Sequence, residues 1–124
     1  MSFQHSKTTI IFAKNGNRVK MEDEIIYLGG QAKLTISRKP YGKINMDDYD
    51  FSIEVYCVPD KRVCIPKNQC IRKDENSYAI TVDSKKLGIG LITIRVISKI
   101  PDPDFKEGYR VDVDKLVTKY KIKL

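Results

Sequence analysis

Phe51-Ser52-Ile53-Glu54-Val55-Tyr56-Cys57 decides the fold class. Phe51, Ile53, Val55 and Cys57 alternate with Ser52, Glu54 and Tyr56, a period of two. An extended chain sends successive side chains to opposite faces, so this stretch predicts a strand with one face on a core and one in water.

The same period recurs on either side. Ala32, Leu34 and Ile36 alternate with Lys33, Thr35 and Ser37, and Tyr78, Ile80 and Val82 with Ser77, Ala79 and Thr81. Near the C-terminus, Leu116, Thr118, Tyr120, Ile122 and Leu124 share one face against Val117, Lys119, Lys121 and Lys123. Residues 91–99 are rich in β-branched side chains and apolar on both faces, which predicts a central strand whose outer face meets a partner. Shorter candidate strands fall at residues 8–13, 24–28, 62–65, 69–72 and 109–113.

Turn signals separate these segments: Asn15-Gly16-Asn17, Gly29-Gly30, Pro40-Tyr41-Gly42, Val58-Pro59-Asp60, Gly88-Ile89-Gly90 and Pro101-Asp102-Pro103-Asp104. Only Asp83-Ser84-Lys85-Lys86-Leu87 reads as helical, for one turn at most. Short strands between regularly spaced turns predict an all-β sandwich or small barrel.

A length of 124 residues suits one domain and excludes a cleft between two. The longest apolar runs are about five residues, far short of the ~20 a membrane-spanning helix needs, so no membrane partner is expected. Met1-Ser2-Phe3-Gln4-His5-Ser6-Lys7 has no apolar core of the secretory kind. With that start, the odd set Cys57, Cys64 and Cys70 predicts reduced thiols that behave as small hydrophobes.

Chemistry has little to work with. His5 is the only histidine and precedes the first strand, so no activated nucleophile is predicted and no catalytic residue is assigned. The cysteines lack the close pairing of a zinc site. Asp47-Asp48-Tyr49-Asp50 and Asp102-x-Asp104-x-x-Glu107-Gly108 have the oxygen donors calcium prefers, but Lys106 stands where a further ligand is needed. Turn chemistry is the expected use of these acids, and no metal or cofactor is expected.

The net charge of +7 is lopsided. Residues 1–20 carry four basic groups and no acid, residues 21–60 a balance of −4, and residues 61–100 a balance of +6. Such a dipolar chain favours oriented docking on charged neighbours. Lys61, Arg62, Lys67, Arg72 and Lys73, near Tyr56 and Tyr78, form the candidate nucleic-acid face, since cations and stacking aromatics grip single strands. Asp74 and Glu75 interrupt that patch, and solvated or edge-guarding lysines are the main expectation.

Residues 1–23 form a basic arm with one apolar run, Thr9-Ile10-Ile11-Phe12-Ala13. It is expected to fold back as a hairpin through Asn15-Gly16, with donation to a neighbouring subunit as the alternative.

Three segments carry a resemblance when taken in order. They are Asp50-Phe51-Ser52-Ile53-Glu54-Val55-Tyr56, then Lys86-Leu87-Gly88-Ile89-Gly90-Leu91, then Ile100-Pro101-Asp102-Pro103-Asp104-Phe105-Lys106-Glu107-Gly108-Tyr109-Arg110. The set resembles small Ig-like β-sandwich modules in virion proteins of tailed phages of Bacteroidetes, crAss-like phages among them. Those modules are similar to the N-terminal domain of the phage baseplate upper protein. A D-F-x-[IV]-x-[VF]-Y strand, an L-x-x-G turn and an I-P-x-x-x-[FY]-x-[DE]-G loop recur in them. The resemblance spans roughly residues 24–124; the basic arm and the three cysteines depart from it.

It implies an all-β, Ig-like antiparallel β-sandwich over residues 24–124, with residues 1–23 as N-terminal arm or hairpin. It also implies a non-enzymatic virion structural protein, a head-fibre, capsid-decoration or tail and baseplate adaptor, assembled in the host cytoplasm. The expected partners are other virion proteins and further copies of the chain, through Ile10, Ile11, Phe12, Tyr41, Phe105, Tyr109 and Tyr120. Nucleic-acid binding is the first alternative. A sugar-binding module is the second, disfavoured because the chain has no Trp.

Overall fold

The computed structural model describes residues 8–12 and 24–124, with residues 8–12 and 24 described as backbone. The strands are β1 (Thr8–Phe12), β2 (Glu24–Tyr27), β3 (Gln31–Arg38), β4 (Asp50–Tyr56), β5 (Val63–Pro66), β6 (Ile71–Asp74), β7 (Ser77–Asp83), β8 (Gly90–Pro101) and β9 (Tyr109–Lys123). They build two sheets, in the orders β1-β3-β7-β6 and β2-β9-β8-β4-β5. This is an all-β sandwich, as the alternation predicts. Pairing is antiparallel except at one edge of each sheet, where β1 runs parallel to β3 and β2 parallel to β9.

Burial follows the period of two except at Tyr56, Ala79 and Thr93, which are buried on the outer faces of their strands. Leu34 and Ile36 from β3, Ile53 and Val55 from β4, Ile80 from β7, Ile92, Ile94 and Val96 from β8, and Ile122 from β9 fill the space between the sheets. Each such side chain contributes roughly 1.5–3 kcal/mol by leaving water. Asp83-Ser84-Lys85-Lys86-Leu87 forms the one turn expected, a 3-10 turn over Ser84–Lys86, but it is not alone. Met46–Asp48, Pro59–Lys61 and Lys67–Gln69 are 3-10 turns as well, set in loops between strands where no local helical pattern marks them.

The Leu87-Gly88 turn has a steric cause. Gly88 holds φ +91°, and a Cβ there would lie 2.6 Å from Cγ2 of Val58. Leu87 is fully buried, and its carbonyl accepts from the amides of Cys57 (3.0 Å) and Val58 (3.1 Å). The turn therefore ties the end of β4 to the start of β8.

One boundary differs from expectation. Residues 109–113 and 116–124 read as separate strands, yet they form one, β9, hydrogen-bonded along most of β8. The register shifts between Leu91 and Thr93, which pair with Lys121 and Val117. Thr118 sits in this bulge, donating to the carbonyl of Ile92 (2.8 Å) and accepting from the amide of Tyr120 (3.1 Å). A bulge keeps a long strand in one ladder while bending it, and local spacing alone does not reveal it.

Candidate functional site

β9 carries its apolar residues on the wrong side for a core at one end. Asp112 and Asp114 turn inward, so Val111 and Val113 face solvent. The cause lies on the other sheet. Arg38, at the end of β3, is 2% exposed and pairs with Asp114, with Asp112 at 3.7 Å. The hydroxyl of Tyr41 donates to Asp112 (2.6 Å), and the Arg38 guanidinium lies 4.8 Å from the Tyr41 ring centroid. Burial pushes the Asp114 carboxyl above its ordinary range, a shift the facing Arg38 opposes. Burial likewise pushes Tyr49, which packs edge-on to Tyr41, up to about 12.

The outward face of the five-stranded sheet is the consequence. Val111 (57% exposed), Val113 (49%) and Val117 (52%) line β9, with Leu91 (43%) and half-buried Ile97 on β8 beside them. Ile97 is paired directly with Val113. Lysines 99, 115, 121 and 123 border this strip. Next to it the carboxylate of Glu54 is held between two guanidinium groups, Arg95 at 3.0 Å and Arg62 at 3.1 Å. An apolar strip with a fixed charge array beside it offers both burial and orientation to a protein surface. Residues 91–99 point to this face in the sequence; Val111 and Val113 do not, because nothing local marks Asp112 and Asp114 as inward.

The expected contact residues divide. Phe105 is 48% exposed at the tip of the β8–β9 loop, and Tyr109 is half-buried, its ring centroid 5.2 Å from Nζ of Lys99. Tyr41 (6% exposed) and Tyr120 (5%) are buried in the core. Ile10, Ile11 and Phe12 lie on β1, their backbones paired with Ile36, Ser37 and Arg38, while their side chains and the Asn15-Gly16 turn lie outside the described residues.

The candidate nucleic-acid cations are largely engaged within the fold. Nζ of Lys67 donates to the carbonyls of Met46 (3.0 Å), Asp47 (3.1 Å) and Tyr49 (2.7 Å). Arg72 clamps Asp47 through Nε (3.0 Å) and Nη2 (2.7 Å). Arg62 lies 4.6 Å from the Tyr56 ring centroid and donates from Nε to the carbonyl of Pro59 (3.2 Å). Lys61 and Lys73 are exposed, while Tyr56 and Tyr78 are buried and offer no open stacking surface.

The acidic turns cap their own chain. The Arg72 guanidinium, helped by the Tyr78 hydroxyl, lowers the Asp47 carboxyl to about 2. Asp48 accepts from the amide of Asn45 (2.9 Å), and Asp102 from the amide of Asp104 (3.1 Å) and from Arg110 (3.1 Å). Among the described residues, no group of three or more His, Cys, Asp or Glu is placed to hold a metal ion. Nor is any described helix long and apolar enough to cross a membrane.

No protein-family model matches the chain, and no curated protein sequence matches it. Among solved structures, the chain is similar to the N-terminal domain of phage TP901-1 ORF48, with a TM-score of 0.59 and 6% identity. The superposition covers 94% of this chain and 98% of that one, so the likeness is one of whole fold.

Proposed function

We propose that this chain is a non-enzymatic structural module of a phage particle, an adaptor of the tail or baseplate. In this reading the outer face of the five-stranded sheet docks on a second virion protein. The observation that carries it is the exposed strip of Val111, Val113 and Val117 on a fold similar to a phage protein's domain. The ordered D-F-x-I-x-V-Y, L-x-x-G and I-P loop motifs support the same source, including Bacteroidetes phages of the crAss-like kind. Residues 24–124 together with β1 act as the sandwich, with the rest of the basic segment 1–23, Phe105 and Tyr109 as further contacts. Assembly in the host cytoplasm and self-association within the particle belong to this reading.

The nucleic-acid reading ranks below it. Phosphates would have to compete with the existing partners of Arg62, Lys67 and Arg72. Sedimentation of particles from infected cells tests the proposal. The protein is expected in the intact-particle fraction, and a V111E/V113E variant that still folds is expected to be lost from it. Wild-type protein absent from every particle fraction overturns the reading.

A further inference from the structure

The four-stranded sheet is incomplete at one edge. β6 pairs with Ser77, Tyr78 and Ala79 and reaches no further than Ile71, opposite Ala79, leaving residues 80–83 of β7 with no strand on that side among the described residues. Beside this open edge runs a groove of about 690 Å³, lined by the start of β3 (Gln31, Ala32 and Lys33), the end of β7, the Lys86-Leu87 turn and β5, the edge strand of the other sheet. Val63, Ile65, Val82 and Leu87 supply its apolar lining, and Lys33 and Lys86 contribute cationic groups. Asp83, also in the lining, already accepts from the amide of Lys85 (3.0 Å).

We propose that this groove receives an extended segment of another protein as an added strand on β7. Four open residues span about 13 Å at ~3.3 Å per residue, room for two inward side chains two positions apart. Apolar residues of the segment cover Val63 and Ile65, while its carboxylates meet Lys33 and Lys86. The charge on the lining therefore selects an acidic segment over a basic one. The inference stands on the open edge and the groove, and holds whichever particle or partner uses the outer face.

Two heptapeptides test it by NMR titration of the full chain, one alternating glutamate with valine and one alternating lysine with valine. The acidic peptide is expected to give saturable shifts at the amides of residues 80–83 and the methyls of Val63 and Ile65. The basic peptide is expected to bind about tenfold more weakly. V63E is expected to abolish the shifts, and K33E/K86E, two polar surface changes, to weaken the acidic peptide by about three- to tenfold. Shifts confined to the outer face, equal response to both peptides, or no response at millimolar peptide overturn the proposal. So do amides 80–83 already protected and unmoved, which would mean that the chain itself or a second copy fills the groove.

Discussion

The guanidinium of Arg38 and the carboxylate of Asp114 form an ion pair between the two sheets, inside the sandwich. The Arg38 side chain has no exposed surface and that of Asp114 is 19% exposed. Removing one partner leaves a buried charge unmatched, which costs about 3–5 kcal/mol. R38M is expected to destabilise by that amount in urea melts. R38M/D114L is expected to recover much of it, and strict additivity of the two changes would rule out the coupling.

Asp47 and Arg72 set an acid-sensitive contact. The folded carboxyl titrates at about 2, below its ordinary 3.8. Its stabilising contribution is thus full above the ordinary value and is lost as pH falls through about 2. D47N is expected to melt below wild type at pH 7, with the gap closing between about pH 4 and 2. A gap independent of pH would mean that the contact owes nothing to ionisation.

Gly88 accommodates both a positive φ and the approach of Val58. G88A is expected to destabilise by about 1–3 kcal/mol in thermal melts. V58A in the same background is expected to recover the steric part but not the backbone strain. Full recovery would leave no role for φ.

Thiol chemistry separates the cysteines. Cys64 is exposed, whereas burial pushes Cys57 and Cys70 up to about 11. Iodoacetamide at pH 8, read by peptide mass spectrometry, is expected to label Cys64 first, with Cys57 and Cys70 at least about tenfold slower. Equal rates would show that the native fold opens freely around them.

Much of the sandwich was legible locally. Residues 31–37, 51–57 and 78–82 show their inward faces by alternation, and the 3-10 turn after Asp83 shows by composition. Tyr56 broke the pattern: its position assigns it to the outer face, yet it is buried beneath Arg62. A long side chain from the turn that follows a strand can cover a ring on that strand's solvent face, and sequence spacing does not register that.

What the chain alone determined is most of the strands and the glycine turns, because a period of two and a glycine's turn are properties of adjacent residues. The tertiary structure decided which way residues 110–114 face. Valine and aspartate alternate there at Val111, Asp112, Val113 and Asp114, and either set satisfies the period. Arg38, more than seventy residues earlier and on the opposite sheet, draws the carboxylates inward and leaves the valines in solvent. A buried cation must be matched by charge, and that requirement, set by the meeting of two sheets, outranks the local pull to bury valine.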